Sequence, residues 1–170
     1  MEKALLLQTL EEAFSKHNIT TFAPRNKALE MDLDPLFKRF LLQPGNLKSL
    51  QNLLLFHMIP NSIESTRWPT EVNKPKNHNS LCRDSNGETL QVVEKNGEIL
   101  VGMEKIIKPD DITRPDRIIH SNERVLIPKS VQQDFNMCRS LRSISAVILE
   151  GAPEVDPRTQ TKETSFAGIR

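Results

Sequence analysis

The apolar side chains pass from helical to alternating spacing near Leu90, and that change limits the folds open to this chain. In the N-terminal third they recur at helical spacing. Leu6, Leu7, Leu10, Ala13 and Phe14 stack on one face of a helix that has almost nothing ahead of it. Leu47, Leu50, Leu53 and Leu54 mark the buried face of another helix, with Asn46 placed to cap it. From Leu90 onward the period is two: Leu90/Val92 and Ile99/Val101 alternate as half-buried strands do. Helices that precede strands, instead of alternating with them, indicate an α+β fold.

Turn chemistry supplies the rest of the outline. Ile19 to Phe22 is a short β-branched and aromatic run ended by Pro24, which predicts a strand. Arg25 to Glu30 fits one or two helical turns. Asp34-Pro35 starts a short helix through Leu41 that Pro44-Gly45 stops. From Asn61 to Ser80 the chain is polar, with Trp68, Pro69 and Pro75, and is expected to be a long surface loop. Asn86-Gly87 and Asn96-Gly97 predict hairpin turns, because Asn and Gly accept the positive φ of a tight primed turn. Ile106-Ile107, Ile118-Ile119 and Val125-Leu126-Ile127 supply three more short strands, the last closed by Pro128. A helical stretch follows Val131, with Leu141, Ile144, Val147 and Ile148 near helical spacing. After Gly151 the chain turns polar, and residues 151–170 are expected to be a disordered tail.

Composition excludes several roles. At 170 residues the chain is about one domain. Its 23 Lys and Arg against 22 Asp and Glu leave a net charge of +1, without the positive footprint that nucleic-acid binding needs. Apolar runs such as Leu53 to Phe56 stay far short of the ~20 residues of a membrane helix. The start Met1-Glu2-Lys3, with Gln8 and two glutamates interrupting the leucines, does not match a secretory signal. Cys82 and Cys138 form either one bridge or two free thiols. Nothing else looks stapled, so they are expected to be free.

Catalytic and metal patterns are weak. His78 and Cys82 have a spacing that zinc can use, but no second pair completes a site, so no metal and no cofactor is expected. His57 and His120 each close an apolar segment and could stand near Asp110 or Asp111 as base and orienter. The simpler expectation is a buried imidazole bonded to backbone. No Gly-x-Ser-x-Gly elbow occurs, the six glycines are scattered, and Arg139 and Arg142 fit the solvated face of a helix. No enzymatic activity is expected. Asn18-Ile19-Thr20 fits the N-glycosylation acceptor pattern, or else is a plain turn-to-strand junction.

The order of segments says more than the chemistry. Thr21-Phe22-Ala23-Pro24-Arg25-Asn26-Lys27-Ala28-Leu29 comes first, then a leucine-rich helix ending Leu55-Phe56-His57-Met58-Ile59-Pro60. Asp111-Ile112 follows, then Ile118-Ile119-His120 and Val125-Leu126-Ile127-Pro128. This succession resembles the fasciclin domain over Leu5 to Val131, and Arg139 to Arg158 looks like the segment after the first fasciclin domain of plant fasciclin-like arabinogalactan proteins. Two departures stand out. Phe56 replaces a tyrosine that is frequent before the histidine, and Asp116-Arg117 replaces Asn-Gly, so the turn there should differ.

The resemblance implies an α+β, fasciclin-like fold, a wedge-shaped β-sandwich of short strands with several helices packed on one side. It divides the chain into a fasciclin domain at residues 1–131 with its first helix missing, a helical extension at 132–150 and the tail at 151–170. Asn26 would cap the short helix after Pro24. It further implies an extracellular adhesion or cell-wall matrix module, at the plant cell wall or plasma membrane surface, whose partners are polysaccharide or cell-surface proteins. The alternatives are an intracellular protein-binding domain or a histidine-dependent hydrolase. The missing helix would leave the Leu6/Leu7/Leu10 face uncovered and favour self-association. By resemblance the contact candidates are Asp111 and Ile112, with Phe56 and His57 as a second pair. For Asp111 and Ile112 the simpler expectation is that Ile112 points into the core and Asp111 caps a turn, and Phe56 and His57 are expected to face inward as well.

Overall fold

The structure, a computed structural model, describes residues 2–16, 18–68, 76–79 and 88–150. Local chemistry explains the helical part. Helix α1 (Glu2–Lys16) leads into strand β1 (Ile19–Pro24), and a π-turn (Ala28–Asp32) leads to α2 (Pro35–Leu41). Asp34 caps α2 by accepting the Leu36 N–H at 2.7 Å, and Pro35 occupies the first turn, where its missing N–H costs nothing. Phe37 and Phe40 of α2 are buried, with Phe135 edge-on to them at 5.1 and 5.5 Å. Asn26 already lies inside the helical turn, and no side chain caps the π-turn, so the expected cap is absent there.

Helix α3 (Leu47–Phe56) departs from its expected pattern in two ways. Asn46 does not cap it. A 3-10 turn (Pro44–Asn46) runs straight into α3, and the Asn46 side chain turns back to donate to the Phe40 carbonyl at 2.9 Å and to Gln43 Oε1 at 3.3 Å. The buried residues are Leu53, Leu55 and Phe56, while Leu47, Leu50 and Leu54 are half-buried. Because α3 touches both α1 and α2, its apolar surface is divided among neighbours instead of pressed on one.

The strands are β2 (Met58–Ile59), β3 (Lys76–Asn79), β4 (Thr89–Lys95), β5 (Glu98–Val101), β6 (Glu104–Thr113) and β7 (Arg117–Asn122), followed by helix α4 (Lys129–Glu150). They hydrogen-bond in the order β2-β1-β7-β6-β5-β4-β3. Among the described strands only β1 and β7 run parallel, from Ile19↔Arg117 to Pro24↔Asn122. Strand β6 serves both halves of this array. Its start pairs with β5 (Val101↔Glu104, Leu100↔Lys105) and its end with β7 (Ile112↔Ile119, Thr113↔Ile118), with register shifts between Ile106 and Lys108 and between Lys108 and Ile112. Ile19, Phe22, Met58 and Ile59 from one half meet Leu90, Val92, Val101 and Ile106 from the other in a single buried cluster. Leu10, Ala13 and Phe14 of α1 pack against it, whereas Leu7 is 61% exposed. This is the α+β arrangement expected from the change of period.

Two expectations are corrected. Val125-Leu126-Ile127 forms no strand: Val125 and Leu126 are buried, but the Leu126 N–H is taken by a histidine ring and not by a neighbouring strand. The segment after Asn61 is not simply a surface loop. It holds a 3-10 turn (Ser65–Arg67), it buries Trp68 to 6% exposure, and it contains β3, a polar edge strand with no apolar alternation to reveal it. The turn before β7 centres on Pro115-Asp116, with reciprocal bonds between the Arg114 and Arg117 backbones, so Arg117 already belongs to the strand. The Asn86-Gly87 turn, Cys82 and the tail at 151–170 lie outside the described residues. Cys138 is a free, half-buried thiol.

The chain forms two compact units, residues 1–135 and 136–170. In the second, the described part of α4 exposes Met137, Leu141, Ile144, Val147 and Ile148. No described helix is long and apolar enough to cross a membrane.

The Asn96-Gly97 turn joins β4 to β5 with φ of +55° and +77°, the primed geometry expected. Gly97 has open space around it, so only its backbone conformation opposes a side chain. Gly97→Ala is expected to lower stability by about 1 kcal/mol, read from the urea midpoint. An unchanged midpoint would count against this.

Candidate functional site

The two motifs singled out for contact take opposite positions. Ile112 pairs across the sheet with Ile119 on β7. Directly opposed side chains share a face, and successive ones alternate. Ile118 and His120 are fully buried, so Ile119 and its partner Ile112 face outward, and Ile112 is 47% exposed. The expectation that Ile112 points into the core is thereby corrected. Asp111 beside it is exposed, accepts the Ser121 hydroxyl at 2.6 Å and pairs with Lys108 Nζ at 3.0 Å. The Ser121 hydrogen bond, and then Lys108, hold its carboxyl below the usual range.

Phe56 and His57 are buried, at 8% and 5% exposure. This is the inward position expected of them, and neither offers an exposed surface. His57 ends α3 and fastens it. Its Nε2 accepts the Leu126 N–H at 2.9 Å, so the ring proton sits on Nδ1 and is donated to the Leu53 carbonyl at 2.7 Å. Burial pushes its pKa down to about 4. Phe56 belongs to the same buried cluster as Leu90 and Leu126.

His120 repeats this arrangement behind Asp111. Its Nδ1 accepts the Asp110 N–H at 2.9 Å, and its Nε2–H donates to the Ile63 carbonyl at 3.0 Å. The ring lies against Phe22 and Trp68, with centroids 5.6 and 4.5 Å away, and burial lowers its pKa. Asp110 stands at the bulge in β6 with φ +51°, uncommon for any residue but glycine. Its carboxylate accepts both the N–H (3.1 and 3.2 Å) and the hydroxyl of Ser65. A base-and-orienter pair is not formed. Asp110 Oδ1 is 3.7 Å from His120 Nδ1, and both ring nitrogens of each histidine are engaged by backbone. Among the described residues no group of three His, Cys, Asp or Glu is placed to hold a metal.

Asn18 is exposed at the head of β1. Thr20, the third residue of its triplet, is fully buried: its Oγ1 donates to the Asn61 carbonyl at 2.5 Å and accepts the Ile63 N–H at 2.8 Å. Ser65, Thr20 and Ser121 support the site through partners ten to forty-odd residues away. No local pattern marks the two serines, and Thr20 is marked only as the third residue of its triplet. Glu88 likewise caps α4 from afar, accepting the N–H groups of Lys129 (2.9 Å) and Ser130 (3.1 Å).

The family model described as the fasciclin domain matches residues 1–128. Fasciclin-like arabinogalactan protein 17 of Arabidopsis thaliana is 61% identical over 169 residues, covering 99% of this chain and 36% of that protein. Fasciclin-like arabinogalactan protein 16 of the same plant is 62% identical over 157 residues, covering 92% of this chain and 34% of its own length. The chain thus spans about a third of these relatives. A solved FAS1 domain pair from the insect cell adhesion molecule Fasciclin I matches with a TM-score of 0.50 at 15% identity, over 70% of this chain and 40% of that one, and shows the same fold. The ordered motifs, the strand array built around β6 and these likenesses agree: the chain belongs to the fasciclin domain family.

Proposed function

We propose that the chain is a non-enzymatic adhesion module that works outside the cell, at the plant cell wall or plasma membrane surface, on polysaccharide or on cell-surface proteins. The observation that carries this reading is the outward presentation of Asp111 and Ile112 on the bulged half of β6. A carboxylate held in place by Ser121 and Lys108 stands next to an exposed apolar side chain. A polar rim around one apolar anchor is a common design for a small contact. The non-enzymatic part is supported by the two histidines, whose ring nitrogens are all spent on backbone. Asp111→Ala is expected to weaken binding to wall or cell-surface preparations about tenfold. Circular dichroism would confirm that the variant stays folded. A folded Asp111→Ala that binds like wild type places the contact elsewhere.

Asn18 supports the same setting. Produced through a secretory pathway with an added leader, the chain is expected to carry a glycan on Asn18, read by mass spectrometry as a modified peptide that Asn18→Gln abolishes. The hydroxyl of Thr20 is sequestered once β1 is packed, so attachment precedes folding. An unmodified peptide from secreted protein would refute this.

A further inference from the structure

We infer that Asp110, His120 and Ser65 form an acid-sensitive latch that sets the shape of the Asp111–Ile112 surface. The inference rests on the reading of that surface as the contact. It starts from the tautomer. His120 Nδ1 accepts the Asp110 N–H, and Nε2 spends its hydrogen on the Ile63 carbonyl, so the geometry requires a neutral ring. Burial favours the same form.

A proton taken from solvent at Nδ1 turns that acceptor into a donor facing another donor. The Asp110 N–H then has lost its partner, and the new ring N–H needs an acceptor. The nearest carboxylate oxygen is Asp110 Oδ1, 3.7 Å away, now engaged by the Ser65 N–H. Closing that pair draws the carboxylate off Ser65 and frees the backbone from φ +51°. The register shift between Lys108 and Ile112 contains Asp110, so strand pairing there leaves slack for the change. Asp111 and Ile112 follow directly in the chain and turn with it.

The surroundings decide which charges take part. From β6 the charged group facing the ring is Asp110. From β1 the neighbour is Phe22, and from the segment before β3 the neighbours are the Ile63 carbonyl and the Trp68 ring. Lys108 and Asp111 pair with each other on the outer face. Two aromatic rings beside the imidazole favour the cation once it forms.

Amide hydrogen exchange on the whole chain, followed by NMR from pH 7.5 to 5, tests this without any ligand. Below about pH 6.5, where an opened imidazole takes up its proton, protection of the Asp110 amide, corrected for intrinsic exchange, is expected to fall roughly tenfold per pH unit, because opening is linked to one proton. The Ser65 amide should follow it. His120→Gln supplies the same acceptor and donor without a titrating ring, and its Asp110 protection should not depend on pH in this way. A flat profile in wild type, or the same slope in His120→Gln, overturns the latch. Should His120→Gln fold poorly, Asp110→Asn, whose Oδ1 can still accept the Ser65 N–H but which lacks the charge, is expected to move the loss of protection to lower pH. An unmoved profile overturns the latch equally. Adhesion plays no part in these measurements, so failure of the latch and failure of the Asp111 contact are told apart.

Discussion

His57→Ala is expected to lower folding stability by about 3 kcal/mol at neutral pH. The ring joins two segments that nothing else in the local chain would bring together. It donates to the Leu53 carbonyl within α3 and accepts the N–H of Leu126, sixty-nine residues onward. Removing it leaves the buried Leu126 N–H without an acceptor, at about 1–3 kcal/mol for an orphaned group, and opens a cavity beside Phe56 and Leu126. The Leu53 carbonyl still belongs to a helix and suffers less. Urea denaturation gives the measurement. A His57→Ala midpoint equal to that of wild type would mean that the 125–128 segment is held by packing alone.

The same histidine shows what could be read in advance and what could not. Its burial was legible, because it closes a leucine-rich helix and precedes Met58-Ile59-Pro60. Its partner was not, since Leu126 lies in a run whose Val-Leu-Ile composition reads as a strand. Periodicity reports which side chains are buried, and Val125 and Leu126 are buried. It says nothing about where their N–H groups go. Trp68 failed for the opposite reason: its neighbours are polar, and only the ring itself enters the core against His120.

Face parity explains the orientation of the proposed contact residues. Along β6 a strict alternation would be the guide, but register shifts on either side of Lys108 reset it, so Ile112 could be assigned only through its partner Ile119. The Asp111-Ile112 motif was therefore visible while its orientation was not. Asn46 illustrates a smaller effect. As a residue it fits a cap, yet the 3-10 turn before it removes the extended backbone that a cap needs, and the side chain finds Phe40 and Gln43 instead.

Acid is expected to start destabilising this domain well above the pH at which ordinary carboxylates titrate. Burial lowers the pKa of His57 from 6.5 to about 4, so between these values the unfolded chain binds a proton that the folded chain does not. The contribution is fully present above about pH 6.5 and is lost as pH falls toward 4, amounting to on the order of 3 kcal/mol across that window. His120 is shifted in the same direction and adds to the loss in the same range. Asp111 is also lowered, but its stabilisation disappears only as pH falls below the usual carboxylate range, so it cannot account for a decline that begins near pH 6.5. Urea midpoints of wild type and His57→Ala at pH 7.5, 6, 5 and 4.5 separate the causes. The gap between the two proteins should be widest at pH 7.5 and should close as the pH falls, because the variant has no ring to protonate. Parallel curves would assign the acid loss to other groups and remove His57 from the account.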